Sequence, residues 1–145
     1  MTNEDINNEL LYQLRIDFNK TVADDIRTLG ILQKLPKLGN VLLKHNAILI
    51  CQYDAFKGFV DECEQNNNID FPLYKWTKYT INQKKKKEKY LKSFTIYIEH
   101  NQLYSKDKAD RLEAELKSLN CEYILKISKY DSNPKNSPQP PKKYY

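Results

Sequence analysis

The sequence Ala47-Ile48-Leu49-Ile50-Cys51-Gln52-Tyr53 is a short and almost unbroken apolar run. Its length and its β-branched residues predict a strand that is buried on both faces. Asp54 follows the run and can cap the start of a helix with its side-chain oxygen. The apolar residues of that helix recur at i, i+3, i+4 and i+7 and share one face: Phe56, Phe59, Val60 and Cys63. Asparagines at residues 66–68 predict its end, because asparagine tolerates turn conformations.

A second strand is predicted over residues 71–81, which are rich in aromatic and β-branched side chains. Pro72 favours an edge strand there, because proline cannot donate a hydrogen bond to a neighbouring strand. The charged run at residues 84–89 is interpreted as a loop. Apolar residues then alternate with more polar ones and predict a third strand that contains Phe94, Ile96 and Ile98.

A second helix is predicted after Ser105, whose hydroxyl can cap it. Its apolar stripe consists of Ala109, Leu112, Leu116 and Leu119, and it ends at Asn120. Residues 121–130 supply a fourth strand. The core unit at residues 47–130 thus has the order βαββαβ, which is the ferredoxin-like or split βαβ arrangement. We expect an α+β fold with a four-stranded antiparallel sheet and both helices on one of its faces.

Residues 1–46 are predicted to be an N-terminal helical segment that packs on the sheet. Apolar side chains recur there at steps of three and four between residues 4 and 35: Ile6, Leu10, Leu11, Leu14, Phe18 and Val22. Gly30 is expected to weaken this helix. Because the strand at 47–53 is apolar on both faces, these helices are expected to cover the second face of the sheet. Residues 131–145 contain four prolines and almost no aliphatic side chain, which predicts an extended tail.

Composition narrows the class of protein. The chain has 145 residues, a net charge of +5 and only three glycines, which argues against glycine-rich phosphate loops. Three widely separated cysteines predict buried thiols in a reducing compartment. No apolar run approaches the roughly 20 residues that span a bilayer, and the polar opening Thr2-Asn3-Glu4-Asp5 does not resemble a secretory signal. We therefore expect an intracellular protein of the cytoplasm or nucleus, with an organelle as a further option.

The sharpest electrostatic feature is the lysine run, which predicts contact with nucleic acid or another anion. Aromatic side chains interleave with lysines close by, as in proteins on which bases stack. The candidate contact residues are Lys84, Lys85, Lys86, Lys87, Lys89, Lys75, Lys78, Trp76 and Tyr74. A solvated basic turn that faces water, or an acidic protein surface, is the alternative interpretation.

In its order of elements the unit resembles the RNA-recognition motif domains, which bind RNA with aromatic residues on the two middle strands. That family has a basic-Gly-aromatic-Gly/Ala-aromatic pattern on its third strand. The comparable stretch here is Lys92-Ser93-Phe94-Thr95-Ile96-Tyr97, in which Lys92 and Phe94 match, whereas both glycine positions and the second aromatic do not. The resemblance therefore implies the order of elements and assigns no functional residue.

Catalysis finds little support in the sequence. His45 and His100 are the only histidines, and neither stands in a nucleophile or metal-binding motif. We expect no enzyme activity, no cofactor and no metal. The tail residues Pro138, Pro140, Pro141, Lys142, Lys143, Tyr144 and Tyr145 are candidate contacts with a partner.

The function hypothesis is a non-catalytic small basic subunit of a larger assembly. Its partners would be other protein subunits and, given the lysines, nucleic acid. The alternative is a pure protein–protein adaptor that uses its N-terminal helices and contacts no nucleic acid.

Overall fold

The computed structural model describes residues 12–131 of the chain. In chain order the elements are β1 (Tyr12–Phe18), α1 (Lys20–Leu29), α2 (Ile31–Lys34), α3 (Pro36–Lys44), β2 (Ala47–Cys51), α4 (Gln52–Gln65), α5 (Pro72–Ile81), α6 (Lys84–Leu91), β3 (Ser93–Ile98), α7 (Lys106–Ser118) and β4 (Ile124–Asp131). The four strands form one sheet in the order β2-β3-β1-β4. Every pair of neighbouring strands is antiparallel. The predicted α+β class and the four-stranded antiparallel sheet are therefore confirmed.

One hydrophobic core joins the sheet to α1, α3 and α7. On β1 it uses Leu14, Ile16 and Phe18, each of which lies opposite an apolar residue of β3 or β4. The helices contribute Val22, Ala23, Ile26, Leu38, Leu42, Ala109, Leu112 and Leu116. Because alternate residues of a strand point to opposite faces, this cluster lies on one side of the sheet, which we call the core face.

The predicted helix over residues 4–35 is wrong for Tyr12–Phe18, which form the strand β1 at the interior of the sheet. Leu14 and Phe18 are spaced as in a helix, but Ile16 between them is buried as well, and this alternation is typical of a strand. Helices follow from Lys20 onward, and Asn19 caps the first of them by accepting a hydrogen bond from the Val22 amide. That helix ends at Gly30, where φ is 90°.

The predicted strand over residues 71–81 is also wrong, because Pro72–Ile81 form the helix α5. Proline fits the first turn of a helix, where its missing N–H is not needed. Tyr74, Thr77 and Ile81 are the buried residues of this helix and recur at steps of three and four. Tyr74 and Ile81 pack with Val60 and Cys63 of α4 in a second, smaller cluster, so helical packing prevails over strand propensity.

The lysine run at residues 84–89 was predicted to be a loop, and this prediction is wrong as well. The run begins the helix α6, which extends to Leu91. The connection between β2 and β3 therefore consists of the three helices α4, α5 and α6. Two half-buried aromatic side chains, Phe56 of α4 and Tyr90 of α6, meet edge to face with ring centroids 5.0 Å apart, which fixes α6 against α4.

The expectation that the N-terminal helices cover the second face of the sheet is wrong within the described residues. Both α1 and α3 contribute to the core face, beside α7. The opposite face, which we call the second face, carries the alternate residues of each strand: Gln13, Arg15, Asp17, Ile48, Ile50, Thr95, Tyr97, Ser128 and Tyr130. Seven of these nine residues are polar or aromatic, whereas the residues of the core face are predominantly apolar.

A buried tyrosine stands where β1 and β3 separate. The two strands pair as far as Leu14 and Ile96. Beyond this point, Tyr12 pairs instead with Tyr104, which follows β3 after a tight turn. The Tyr104 hydroxyl accepts a hydrogen bond from the Leu14 amide at 2.6 Å and donates one to the Ile96 carbonyl at 2.8 Å. The side chain thus satisfies two backbone groups in the core.

Candidate functional site

The lysines of α6 form the most concentrated positive surface of the described residues. Within eight residues the helix carries five lysines and one glutamate. All five lysines are exposed: Lys84, Lys85, Lys86, Lys87 and Lys89. Several lysines elsewhere pair with carboxylates, as Lys106 does with Asp110 at 2.7 Å and Lys108 with Glu99 at 3.0 Å. Among residues 12–131, no carboxylate forms an ion pair with a lysine of α6.

One face of α6 borders a small cavity at the end of the sheet. Lys85, Lys89 and Lys92 are spaced at i, i+4 and i+7, so their side chains leave the same side of the helix. With Asp17, Phe18, Glu88 and Leu125 they line a cavity of about 220 Å³. Asp17 lies on the second face of the sheet and is paired in register with Lys126 of β4. The cavity therefore connects the basic helix face to the second face, with the carboxylates of Asp17 and Glu88 among its lysines.

Two lysines of α6 lie over aromatic rings. The Lys87 ammonium is 5.3 Å from the centroid of the Tyr53 ring, and the Lys89 ammonium is 5.7 Å from that of Tyr90. These cation–π contacts orient the side chains without neutralising their charge. The backbone of α6 is held as well, because the buried Cys51 thiol donates to the Tyr90 carbonyl at 3.6 Å. Burial raises the pKa of this thiol, which keeps it protonated.

The aromatic and basic residues predicted to flank the lysine run lie on α5. Tyr74 is buried against α4, so its ring is not available for stacking. Lys78 is held 3.2 Å from the Tyr74 hydroxyl and 3.4 Å from Glu64, and the hydrogen bond with Tyr74, followed by that with Glu64, raises the lysine pKa. Lys75 is exposed and Trp76 is half-buried.

The second face of the sheet carries an arginine–aromatic pair that the sequence analysis did not identify. The Arg15 guanidinium lies 4.3 Å from the centroid of the Tyr130 ring. Gln13 accepts a hydrogen bond from Arg15 Nε at 2.7 Å and donates to the Gln102 carbonyl at 3.3 Å, which orients the arginine. Tyr97 lies on the same face and is half-buried. In the sequence, the alternation of Gln13, Arg15 and Asp17 with apolar residues was the signal that could have predicted this polar face of a strand.

The tail residues proposed as partner contacts lie outside the described residues. These are Pro138, Pro140, Pro141, Lys142, Lys143, Tyr144 and Tyr145.

The two histidines occupy unrelated places. His45 Nε2 lies 3.1 Å from Glu115, which also accepts a hydrogen bond from Lys44 at 3.0 Å. Those two contacts, that with Lys44 first, lower the pKa of Glu115. His100 is exposed in the turn after β3, with φ at 66°. Within residues 12–131, no group of three or more histidine, cysteine or acidic side chains has the arrangement of a metal site.

No helix of the described part is both long and apolar enough to cross a bilayer. No protein-family model matches the sequence, and no curated protein and no solved structure is significantly similar to the chain. Functional inference therefore depends on the geometry of this molecule alone.

Proposed function

We propose that the protein is a non-catalytic basic subunit of a larger assembly that binds single-stranded nucleic acid through α6 and the adjoining second face of the sheet. The observation that carries this proposal is the exposure of five lysines on one short helix, none of which forms an ion pair with a carboxylate of the described residues. Phosphate groups are the ligands that such a charged surface attracts most strongly.

The charge pattern of α6 opposes the stability of the helix itself. Lys85 and Lys89 are like charges at i and i+4, which repel each other. Lys84, Lys85 and Lys86 lie in the first turn, where the partial positive charge of the helix dipole disfavours cations. Gln83 precedes them without a side-chain capping bond. A bound polyanion would relieve all three penalties, so we expect nucleic acid to stabilise this helix.

The second face of the sheet supplies groups that bind bases. The planar guanidinium group of arginine and the phenol ring of tyrosine can both stack on bases of any sequence. The Arg15 guanidinium already lies over the Tyr130 ring at 4.3 Å from its centroid, and Tyr97 is on β3, the strand next to that of Arg15. Lys126, in register with Asp17, lies between this group and the cavity beside α6. Phosphates on α6 and bases on the sheet would therefore belong to one continuous strand.

The proposal also concerns the fold. We infer a split βαβ arrangement in which β1, β2, β3 and β4 are the four strands and α4–α6 are inserted between the second and third. The order β2-β3-β1-β4 with antiparallel neighbours supports this arrangement, as do the helices that follow β1 and β3. The insertion is what carries the lysine helix.

The binding experiment is fluorescence anisotropy with a labelled single-stranded RNA of about 12 nucleotides, at several salt concentrations. For single strands, log K falls with log salt by roughly 0.7 per phosphate contacted. The triple variant K84Q/K85Q/K86Q is expected to reduce this slope by about 2. The matched control is K106Q/K108Q/K117Q, which removes the same charge from α7, where each lysine pairs with a carboxylate.

The two halves of the surface can be separated in the same assay. Tyr130→Leu removes a stacking ring without a change of charge, so we expect weaker binding, by about 1–3 kcal/mol, with an unchanged salt slope. An equal loss of affinity in both triple variants would contradict the assignment to α6, as would the absence of binding at about 50 mM salt.

A protein–protein adaptor is the second candidate. Three leucines of α1, α2 and α3 favour it, because Leu29, Leu32 and Leu43 are 50%, 47% and 60% exposed. Leu32 and Leu43 line the same cavity, and exposed aliphatic side chains grouped in this way are typical of a surface that a partner covers. If the folded protein does not bind single-stranded nucleic acid, this result would favour the adaptor role.

A further inference from the structure

The two edges of the sheet differ in their protection against pairing with another strand. The β4 edge carries Lys126 and Lys129, and its register with β1 shifts between Asp17 and Phe18. Charged side chains and irregular register are the usual means of preventing such pairing. The β2 edge, Ala47–Cys51, has no charge, no proline and no register shift. Among the described strands, none pairs with the outer side of β2.

The backbone groups on this edge can be identified from the pairing with β3. The Glu99 amide donates to the Asn46 carbonyl at 2.8 Å. This bond makes Asn46 and Glu99 a hydrogen-bonded pair of opposite residues. Along antiparallel strands every second residue belongs to such a pair, so Ile48 and Ile50 also direct their N–H and C=O groups toward β3. The corresponding groups of Ala47 and Leu49 then point outward. Only another extended backbone satisfies such a row of alternating donors and acceptors.

The side chains beside this edge form an apolar groove between β2 and the helices α1–α3. The groove has a volume of about 460 Å³. Its buried or half-buried lining includes Ile26, Ile31, Leu42 and Leu49. Leu32 and Leu43 also line it but are 47% and 60% exposed. One surface therefore offers both an apolar recess and apolar projections, which is what a contact between two identical surfaces requires.

The residues of the β2 edge carry no charge that a two-fold rotation would bring against its own copy. The charged side chains at its two ends lie on helices and are already paired within the chain. Lys44 of α3 contacts Glu115 at 3.0 Å. Asp54 of α4 contacts Arg27 at 2.8 Å, and both of these residues line the groove.

We propose that β2 pairs with β2 of a second copy of this chain, antiparallel and centred on Leu49. Leu49 of each copy exchanges two hydrogen bonds with its equivalent, and Ala47 lies opposite Cys51. The two four-stranded sheets become one continuous sheet, and the projecting leucines of each copy enter the groove of the other. The inference does not depend on nucleic-acid binding by α6.

The experiment is sedimentation velocity of the full chain, free of nucleic acid, from about 2 to 200 µM. We expect a concentration-dependent dimer. Ile48→Lys places a charge on the exposed side of β2 and is expected to raise the dissociation constant by about tenfold or more. Leu125→Lys is the matched control, since Leu125 is 61% exposed on the opposite edge and should leave the dimer unchanged. Circular dichroism of both variants verifies that they fold.

Hydrogen exchange identifies the surface. The Ala47 and Leu49 amides are expected to be protected at high protein concentration and to exchange quickly at low concentration. A chain that remains monomeric throughout the range overturns the proposal, as does a dimer that Ile48→Lys leaves intact. Protection of these amides at every concentration would place another segment of the same chain on this edge, which also overturns the dimer.

Discussion

The substitution Tyr104→Phe removes a single oxygen from the centre of the core. Tyr104 is 1% exposed, and its hydroxyl bridges the Leu14 amide and the Ile96 carbonyl at the point where β1 and β3 separate. Phenylalanine fills nearly the same volume, so no cavity forms. The effect on stability therefore reports the two hydrogen bonds and not packing.

The magnitude follows from the groups left without a partner. Leu14 and Ile96 are both 0% exposed, so water cannot replace the hydroxyl. Leaving one buried donor or acceptor unsatisfied costs about 1–3 kcal/mol, with carbonyls at the lower end because they have a second lone pair. The gain from no longer burying a hydroxyl offsets part of this cost. We expect the free energy of unfolding to fall by about 2 kcal/mol.

The assay is urea denaturation of the wild type and the variant at neutral pH, followed by circular dichroism and by fluorescence. Coincident transitions by the two probes test two-state unfolding, and equal m-values test that both proteins expose the same surface. Tyr123→Phe is the matched control, since Tyr123 is 39% exposed and should change stability by less than about 0.5 kcal/mol. A Tyr104→Phe protein that is as stable as the control would refute the assignment of both hydrogen bonds.

The same side chain predicts a dependence on alkaline pH. Burial raises the pKa of Tyr104 to about 12, whereas an unfolded tyrosine has a pKa near 10. The unfolded state therefore loses this proton first. The contribution of the neutral hydroxyl is fully present below about pH 10 and is lost as the pH rises toward 12. The stability difference between wild type and Tyr104→Phe should shrink over this interval, and a difference that is constant to pH 12 would contradict the burial of the hydroxyl.

Three further substitutions test local features by the same denaturation assay. Gly58→Ala in α4 should stabilise the protein by about 0.5–1 kcal/mol, because alanine is the better helix former and a Cβ there meets nothing within 4 Å. Gly39→Ala in α3 should instead destabilise the protein by about 1–3 kcal/mol, since the added Cβ would lie 2.9 Å from the Leu32 Cα. Equal effects of the two glycine substitutions would contradict the close approach of α2 and α3. His100→Gly should stabilise the protein by about 0.5–1 kcal/mol, because glycine adopts positive φ more readily than histidine. In this turn φ is 53° at Glu99 and 66° at His100. A loss of stability would contradict this turn conformation.

The second half of the fold could be predicted from the sequence because its signals are local. The predicted third strand corresponds to β3, and the predicted helix after Ser105 corresponds to α7. Ser105 accepts a hydrogen bond from the Lys108 amide, as its position before the apolar stripe indicated. Alternation and capping are properties of neighbouring residues, so no distant contact was needed to recognise them.

The strand β1 and the helix α5 could not be predicted because their local signals were ambiguous. In β1, Leu14 and Phe18 fit both a helical stripe and, with Ile16, a strand. The decision comes from β3 and β4, which pair with β1 on both sides. In α5, aromatic and β-branched residues favour a strand, but Tyr74 and Ile81 bury a common face against α4. Tertiary packing prevails over propensity in both cases.

The candidate site was predicted only in part. The lysine run identified the basic surface, although its helical conformation was missed because the charge pattern disfavours a helix. Arg15 and Tyr130 come from opposite ends of the described chain and meet because β1 and β4 are neighbours. Such a pair depends on strand order, which local sequence patterns do not encode.

The central claim is that α6 and the second face of the sheet form one binding surface for single-stranded nucleic acid. The most direct measurement is the change of backbone amide chemical shifts, by nuclear magnetic resonance, during titration with a short single-stranded RNA at low salt. We expect the largest changes at residues 84–92, Arg15, Tyr97 and Tyr130. Changes confined to α7 and α3, or none at saturating RNA, would contradict the claim.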